Sequence, residues 1–371
     1  MPTYPHRIRR STAVVLALGA ALAMILLRPP PATAQSPPLD APNLANTCFR
    51  VPGAEFPDVS GSHAAVVHGT AIDCFAAYEL TEGTREGEFQ PEAGVRRWHM
   101  ALFLSRLATR AADDVDELHL PSEPEAPFDD IDDVSPPAQD AIALLTELGV
   151  TQGVSSNRFA PQRLVTRGQM ATFIDRLQGA IQTALGGDPS GFSSTEDFFS
   201  DDDGTTHEQQ INDIAAVGIT KGQQTTAGPM AFAPNRSVLR AEMASFLIRH
   251  LGVNIDTGAL ESRFPLDANA ESAESTGQRF LAAVDEGDLE AAAEWGTPRA
   301  IAVAEAAIGM IAVDDREFFP WSELPGGRVE WGGDELSGYM NVPLRPPDED
   351  RGLGCHIEAG YVRACYDIPG T

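Results

Sequence analysis

Four cysteines, two runs of aspartate and a set of arginines recurring at fixed spacing are the residues whose types could do chemistry in this 371-residue chain. Cys355 and Cys365 lie symmetrically about Gly360. A hairpin turning over Ala359 to Tyr361 would set the two thiols opposite each other, at a separation that a disulfide tolerates. Cys48 and Cys74 then make the other pair, the simplest of the possible connectivities. The aspartate runs Asp129–Asp133 and Asp201–Asp203 invite a calcium reading, but neither completes a D-x-[DN]-x-[DN]-G loop with its distal Glu. They are read as turn and helix-start residues, and no metal or cofactor is assigned. The chain has no G-x-S-x-G, no P-loop and no G-x-G-x-x-G, and His207-Glu208 is followed by Ile211 where a zinc protease needs its second histidine. The expectation is a protein that is not an enzyme.

Composition narrows the class. The chain carries 54 acidic against 26 basic side chains, for a formal charge of -28. That argues against nucleic acid as a partner, because affinity for a phosphate backbone comes mostly from Lys and Arg. At the start, Arg7, Arg9 and Arg10 precede an apolar run from Thr12 to Leu27, which is followed by Arg28, prolines and Ala32-Thr33-Ala34. This is the pattern of a secretory signal peptide cleaved near Ala34, since about 16 apolar residues are short of the roughly 20 that span a bilayer. Its removal leaves 22 basic and 54 acidic residues, or -32. No other stretch is apolar enough to span a membrane, so the expectation is export, with disulfides permitted.

Three segments share one skeleton. From the Phe of a Phe-x-Pro (Phe89, Phe159, Phe232), an Arg follows 8 positions on (Arg97, Arg167, Arg240), a Met 11 on and a second Phe 14 on. Upstream, each copy opens on Phe-x-Asp: Phe56 and Asp58, Phe128 and Asp130, Phe199 and Asp201. From opening Phe to Phe-x-Pro the distances are 33, 31 and 33. The second copy predicts two helices around a loop: Ala141, Leu144, Leu145 and Leu148 make one apolar stripe, and Met170, Phe173, Ile174 and Leu177 make another. Gly149 is placed to end the first helix, and Thr166 with Gln169 to cap the second. Phe159-Ala160-Pro161 reads as a short extended piece between them. A two-helix unit cannot bury its stripe alone, so three should pack about a common axis.

The Phe-x-Asp opening, the G-[VI]-T-x-G loop, Phe-x-Pro and the [VI]-T-R-x-[EQ]-M-A block resemble the S-layer homology (SLH) family, over about residues 50 to 250. The resemblance implies a mainly α, pseudo-threefold bundle of helix-loop-helix repeats whose grooves hold an anionic cell-wall polysaccharide, often pyruvylated. Arg97, Arg167 and Arg240 match the family's ligand-contacting arginine, one per repeat, and a planar guanidinium suits a carboxylate in a way Lys cannot copy. Phe56, Asp58, Phe128, Asp130, Phe199, Asp201, Gln169 and Glu242 match supporting motif positions. The first copy departs from the pattern with Arg96-Arg97-Trp98-His99 where the family has T-R-A-E, and with Glu79 in place of a loop glycine. The third departs with Leu239 at the capping Thr and an insertion around Thr225 to Met230.

The organisation expected is a signal peptide (1–34), a linker (35–47), repeats at 48–110, 128–180 and 198–252, linkers at 111–127, 181–197 and 253–268, and a C-terminal unit at 269–371. The linkers 111–127 and 186–197 read as solvated spacers. In the last unit Phe280, Leu281 and Val284 lie at helical spacing, Gly287 ends that helix and Asp288 caps another. A third helix starts at Thr297-Pro298, and extended runs follow near Arg328–Trp331, Gly338–Val342 and Cys355–Cys365, which indicates α+β. Its helix, Gly-Asp turn and Ala-rich helix are similar to small exported NTF2-like domains of actinobacteria. Trp321 and Trp331 are candidates to line its pocket. The function expected is a secreted, wall- or surface-located protein held non-covalently through its repeats. The alternative is a secreted binding protein whose repeats are scaffold and whose C-terminal unit carries the activity.

Overall fold

The computed structural model describes residues 44–54, 56–59, 63–225, 228–266, 273–297, 300, 301, 303, 304, 338–344, 351–358 and 361–368. The signal-peptide reading, Trp321, Trp331 and the strand expected near Arg328 lie outside them. The fold is rich in α-helix. Among the described residues its elements are α1 (Leu44–Cys48), α2 (His63–Ala77), α3 (Arg97–Asp114), α4 (Pro136–Glu147), α5 (Arg167–Ala184), α6 (Glu208–Ala216), α7 (Arg240–Asp256), α8 (Ala273–Glu286) and α9 (Leu289–Ala293), with five strands. Among the described residues no helix is long and apolar enough to cross a membrane.

The helices α2 to α7 form three helix-loop-helix units, and they pack between units: α3 against α4, α5 against α6, and α7 back against α2. Each stripe is therefore buried by the neighbouring unit, as a two-helix unit requires. In α5, Met170, Phe173, Ile174 and Leu177 are all buried as the spacing predicts. In α4 the buried stripe is Ala138, Ala141, Ile142 and Leu145, with Leu144 and Leu148 only half-buried. The helix is rotated by part of a turn relative to the stripe expected, because Ile142 faces the core.

A closed circuit of backbone hydrogen bonds lies at the centre. Val95 N donates to Val238 O at 3.0 Å, Val238 N to Val165 O at 3.0 Å and Val165 N to Val95 O at 2.9 Å. The helix starts interlock in the same sense: Arg97 N bonds Arg163 O, Arg167 N bonds Arg236 O, and Arg240 N bonds Ala93 O. First-turn amides that a helix leaves without partners are thus satisfied by the next unit around. Thr166 and Gln169 form the expected capping box on α5. On α7 only half of one exists, because Leu239 has no side-chain acceptor and Glu242 alone takes the Leu239 amide at 3.0 Å.

The loops repeat down to single backbone angles. Gly149 and Gly218 end their helices with φ of +72° and +75°, and Glu79 adopts +59° at the corresponding place, so the missing glycine changed the residue and not the turn. Phe-x-Pro is not extended: Gln90, Ala160 and Ala233 have φ of +58°, +57° and +60°. The insertion in the third unit is a small antiparallel hairpin of β1 (Gln223–Thr225) and β2 (Gly228–Ala231). Segment 186–197 is not a solvated spacer throughout, since Phe192 is buried and its amide is held by the Asp175 carboxylate at 2.9 Å. In 111–127, likewise, Ala111, Val115 and Leu118 pack into the core.

Cys48 and Cys74 are disulfide-bonded and tie α1 to α2. At the other end, β3 (Gly338–Leu344), β4 (Arg351–Glu358) and β5 (Tyr361–Ile368) form an antiparallel sheet in the order β3-β4-β5. Its register sets Cys355 opposite Cys365, and Cys355 is disulfide-bonded. Asp288 caps α9 by accepting from Ala291 N at 3.0 Å. Phe280, Leu281, Val284, Ile301, Cys355 and Val362 make a core separate from that of the helical units. The guanidinium of Arg50 stacks 4.4 Å over the Trp295 ring, linking the first unit to this one.

Candidate functional site

The motif residues converge at three equivalent junctions between units, and their roles divide cleanly. Asp58 accepts from the amides of Phe89 and Gln90, at 2.9 and 2.5 Å. Asp130 takes Phe159 and Ala160 at 2.8 and 2.9 Å, and Asp201 takes Phe232 and Ala233 at 2.7 and 2.8 Å. Each carboxylate thereby pins its own unit's Phe-x-Pro in the left-handed turn, through charge-assisted bonds. The opening phenylalanines Phe56, Phe128 and Phe199 pack on Phe89, Phe159 and Phe232 with centroids 5.5, 5.6 and 5.4 Å apart. A Cβ on Gly83, Gly153 or Gly222 would strike the opening ring of its unit, which is why glycine stands there.

The arginines reach the other way, into the neighbour. Arg97 Nε donates to Phe159 O at 2.7 Å, Arg167 Nε to Phe232 O at 2.7 Å, and Arg240 Nε to Phe89 O at 2.6 Å. Each guanidinium lies between two rings: Phe159 and Phe173 for Arg97, Phe232 and Phe246 for Arg167, Phe89 and Phe103 for Arg240. All three are buried, at 4%, 4% and 5% exposure. Burial pushes Arg97 down to about 10, with Arg163 adding and Asp130 opposing, and pushes Arg167 down to about 10, with Glu242 opposing. Both stay cationic at neutral pH.

The junctions differ in how that charge is balanced. Arg167 is ion-paired with Glu242 at 3.2 Å, and Glu242 also pairs with Arg236. Arg97 has no ion pair among the described residues, and its buried Nη2 has no hydrogen-bond partner. Two exposed arginines flank it. Arg163 follows Gln162, which accepts from Arg96 Nη1 at 2.6 Å, and Arg96 is bridged to Leu164 across the junction. Position 242 of the third unit corresponds to Gln169 in the second and His99 in the first. Burial, with Arg240 and Arg96 adding, holds His99 at about 4 and so neutral. The first-to-second junction therefore concentrates Arg96, Arg97 and Arg163 inside a chain of charge -28, with Asp130 near Arg97 but not ion-paired to it. By contrast, the open groove lined by Ser105, Glu123, Glu125, Asp140 and Leu144 carries carboxylates and no cation, and it does not suit an anion.

The repeat-motif residues expected from the sequence lie at these junctions, whereas the four cysteines lie elsewhere. The flanking Arg96 and Arg163 were not legible as site residues: Arg96 stands where the other units have Thr166 and Leu239, and Arg163 recurs only as Arg236 of the third unit, so neither is marked in all three copies.

Residues 127–171 match the family model described as the S-layer homology domain, so the chain carries an S-layer homology domain. A curated relative, a protein of Thermoanaerobacter kivui named "Cell surface protein", is 32% identical over 128 residues, which is 34% of this chain. The match spans 15% of that protein's length.

Proposed function

We propose that all three units are S-layer homology repeats of an exported, non-enzymatic surface protein, and that they hold an anionic wall polysaccharide at the junctions between repeats. The observation that carries this reading is the first-to-second junction. There, exposed Arg96 and Arg163 sit over buried Arg97, whose Nη2 is unspent. Two solvent-facing guanidiniums can grip a carboxylate or ketal acid in a bidentate manner, while the charge beneath adds attraction in a poorly hydrated setting. The second-to-third junction is a weaker site, because Glu242 already occupies Arg167. The name of the relative and the matched domain both support a place at the cell surface.

The C-terminal unit is read as the part displayed, of α+β type and NTF2-like in build. Its separate core favours the second reading too, in which that unit binds a small ligand or partner and the repeats are scaffold. Isolated walls, intact or stripped of anionic polymer by mild acid, distinguish them. Sedimentation with intact walls only supports the proposal, and equal sedimentation with both kinds of wall removes it.

A further inference from the structure

We propose that the third unit holds a calcium-class divalent cation between Asp197, Asp202 and Asp203. Each offers a carboxylate oxygen, and these oxygens lie within 4.8 Å of one another. That spacing fits one coordination sphere, since Ca–O bonds of about 2.3–2.6 Å place ligand oxygens up to about 5 Å apart.

An acidic cluster alone would mean little in so acidic a chain. What singles this one out is Asp202. It is 0% exposed, and neither carboxylate oxygen has a hydrogen-bond partner beyond the residue's own amide. One oxygen of the half-buried Asp197 is likewise without a partner, and so is the buried hydroxyl of Thr205 in the same loop. An uncompensated buried carboxylate is costly enough that native structures pair it or place it on a metal.

The repeat shows what the position ordinarily holds. One residue after the motif aspartate stands Val59 in the first unit and Ile131 in the second, both buried and apolar. The third unit places Asp202 in that slot. At the position of Asp197 the other units have Ala54 and Ala126. Three oxygen ligands therefore appear together in one unit, at a slot where the fold tolerates a hydrocarbon. Among the described residues no nitrogen or sulfur ligand accompanies them, which selects a hard cation. Exposed Asp203 leaves a side open for water, as calcium's 6–8 oxygen ligands require.

The ion would brace the junction next to it. Asp201, adjacent in sequence, pins Phe232 and Ala233, and the Phe232 carbonyl receives Arg167.

The test is calorimetric titration of calcium into the purified full chain after EDTA treatment and dialysis. Thermal unfolding is followed in parallel, in millimolar calcium against sodium chloride of equal ionic strength. Expected are one saturable site and a midpoint raised by calcium beyond the salt control and lowered again by EDTA. Asp203→Asn should weaken the site about tenfold or more. Asp202→Val, which restores the residue of the first unit, should fold and lose the calcium response. Absence of a saturable site in the wild type overturns the proposal, as does wild-type affinity in Asp203→Asn. If Asp202→Val does not fold, Asp203→Asn, an exposed change, decides alone. The outcome is independent of wall binding, so either proposal can fail without the other.

Discussion

The side chain of Arg240 donates to the carbonyl of Phe89, 151 positions earlier in the chain, at 2.6 Å. It is the third of three equivalent bonds, and it returns the third unit to the first. Arg97 to Phe159 and Arg167 to Phe232 join neighbours in sequence order; Arg240 to Phe89 closes the circle. The same closure appears in the valine circuit and in the packing of α7 on α2.

Removing the closing arginine should therefore open one junction. Arg240→Ala leaves the Phe89 carbonyl unpaired and empties the space between Phe89 and Phe103, and it is expected to cost about 2–4 kcal/mol. Arg240→Lys should recover little of this, because an ammonium lacks the planar stack and the directed Nε bond. Urea unfolding of the three proteins measures the difference.

Two glycines with almost the same φ should respond unequally to alanine. Gly149 has φ +72° and open space where a Cβ would go, so Gly149→Ala is expected to cost about 1 kcal/mol of backbone strain. Gly153 has φ +74° and its Cβ would meet the Phe128 ring and the Arg158 carbonyl. Gly153→Ala should cost about 2–4 kcal/mol, strain and overpacking together. Equal losses in thermal unfolding would contradict the role given to the Phe128 pair.

Much of this was legible in the sequence for a physical reason. Residues that must recur to close a threefold circuit, such as Phe56, Asp58 and Arg97, leave a periodic trace, and the disulfide and hairpin partners are symmetric in the chain. The left-handed turn at Gln90, Ala160 and Ala233 left no trace, because none of them is glycine or asparagine; two aspartate-bound amides impose it. The offset of the α4 stripe escaped because Ile142 and Leu144 are equally apolar, and only the neighbour's shape chooses between them. Asp202 was hidden among other acids until its burial separated it from them.

A buried carboxylate outside the junctions gives a pH signature. Burial raises Asp175 to about 7, with Asp213 adding and the Phe192 amide and Arg176 opposing. Its folded value lies above its unfolded one, so the folded state binds the extra proton between about pH 4 and pH 7, and this contribution to stability declines as pH rises through that window. Asp175→Asn keeps an acceptor for the Phe192 amide without a charge. It should raise stability by about 1–3 kcal/mol at pH 8 and by little near pH 4. A gain independent of pH would show that the carboxylate is not titrating there.

The disulfide Cys48–Cys74 closes a loop of sequence separation 26, and its loss should release chain entropy on unfolding. Cys48→Ser with Cys74→Ser is expected to cost about 3 kcal/mol. Guanidinium unfolding with and without reductant checks it: reductant should move the wild type further than the double variant, which retains only the disulfide of Cys355.

The central claim is that wall polymer binds where Arg96 and Arg163 flank Arg97, and co-sedimentation with isolated cell walls tests it most directly. The double variant Arg96→Ala, Arg163→Ala alters exposed side chains only, so the fold is left intact. Exposed Arg85→Ala removes a positive charge elsewhere in the first unit. The account predicts that wild type and Arg85→Ala sediment alike, while the double variant binds about tenfold more weakly, a loss of about 1.4 kcal/mol. Sedimentation of the double variant at the wild-type level would contradict it.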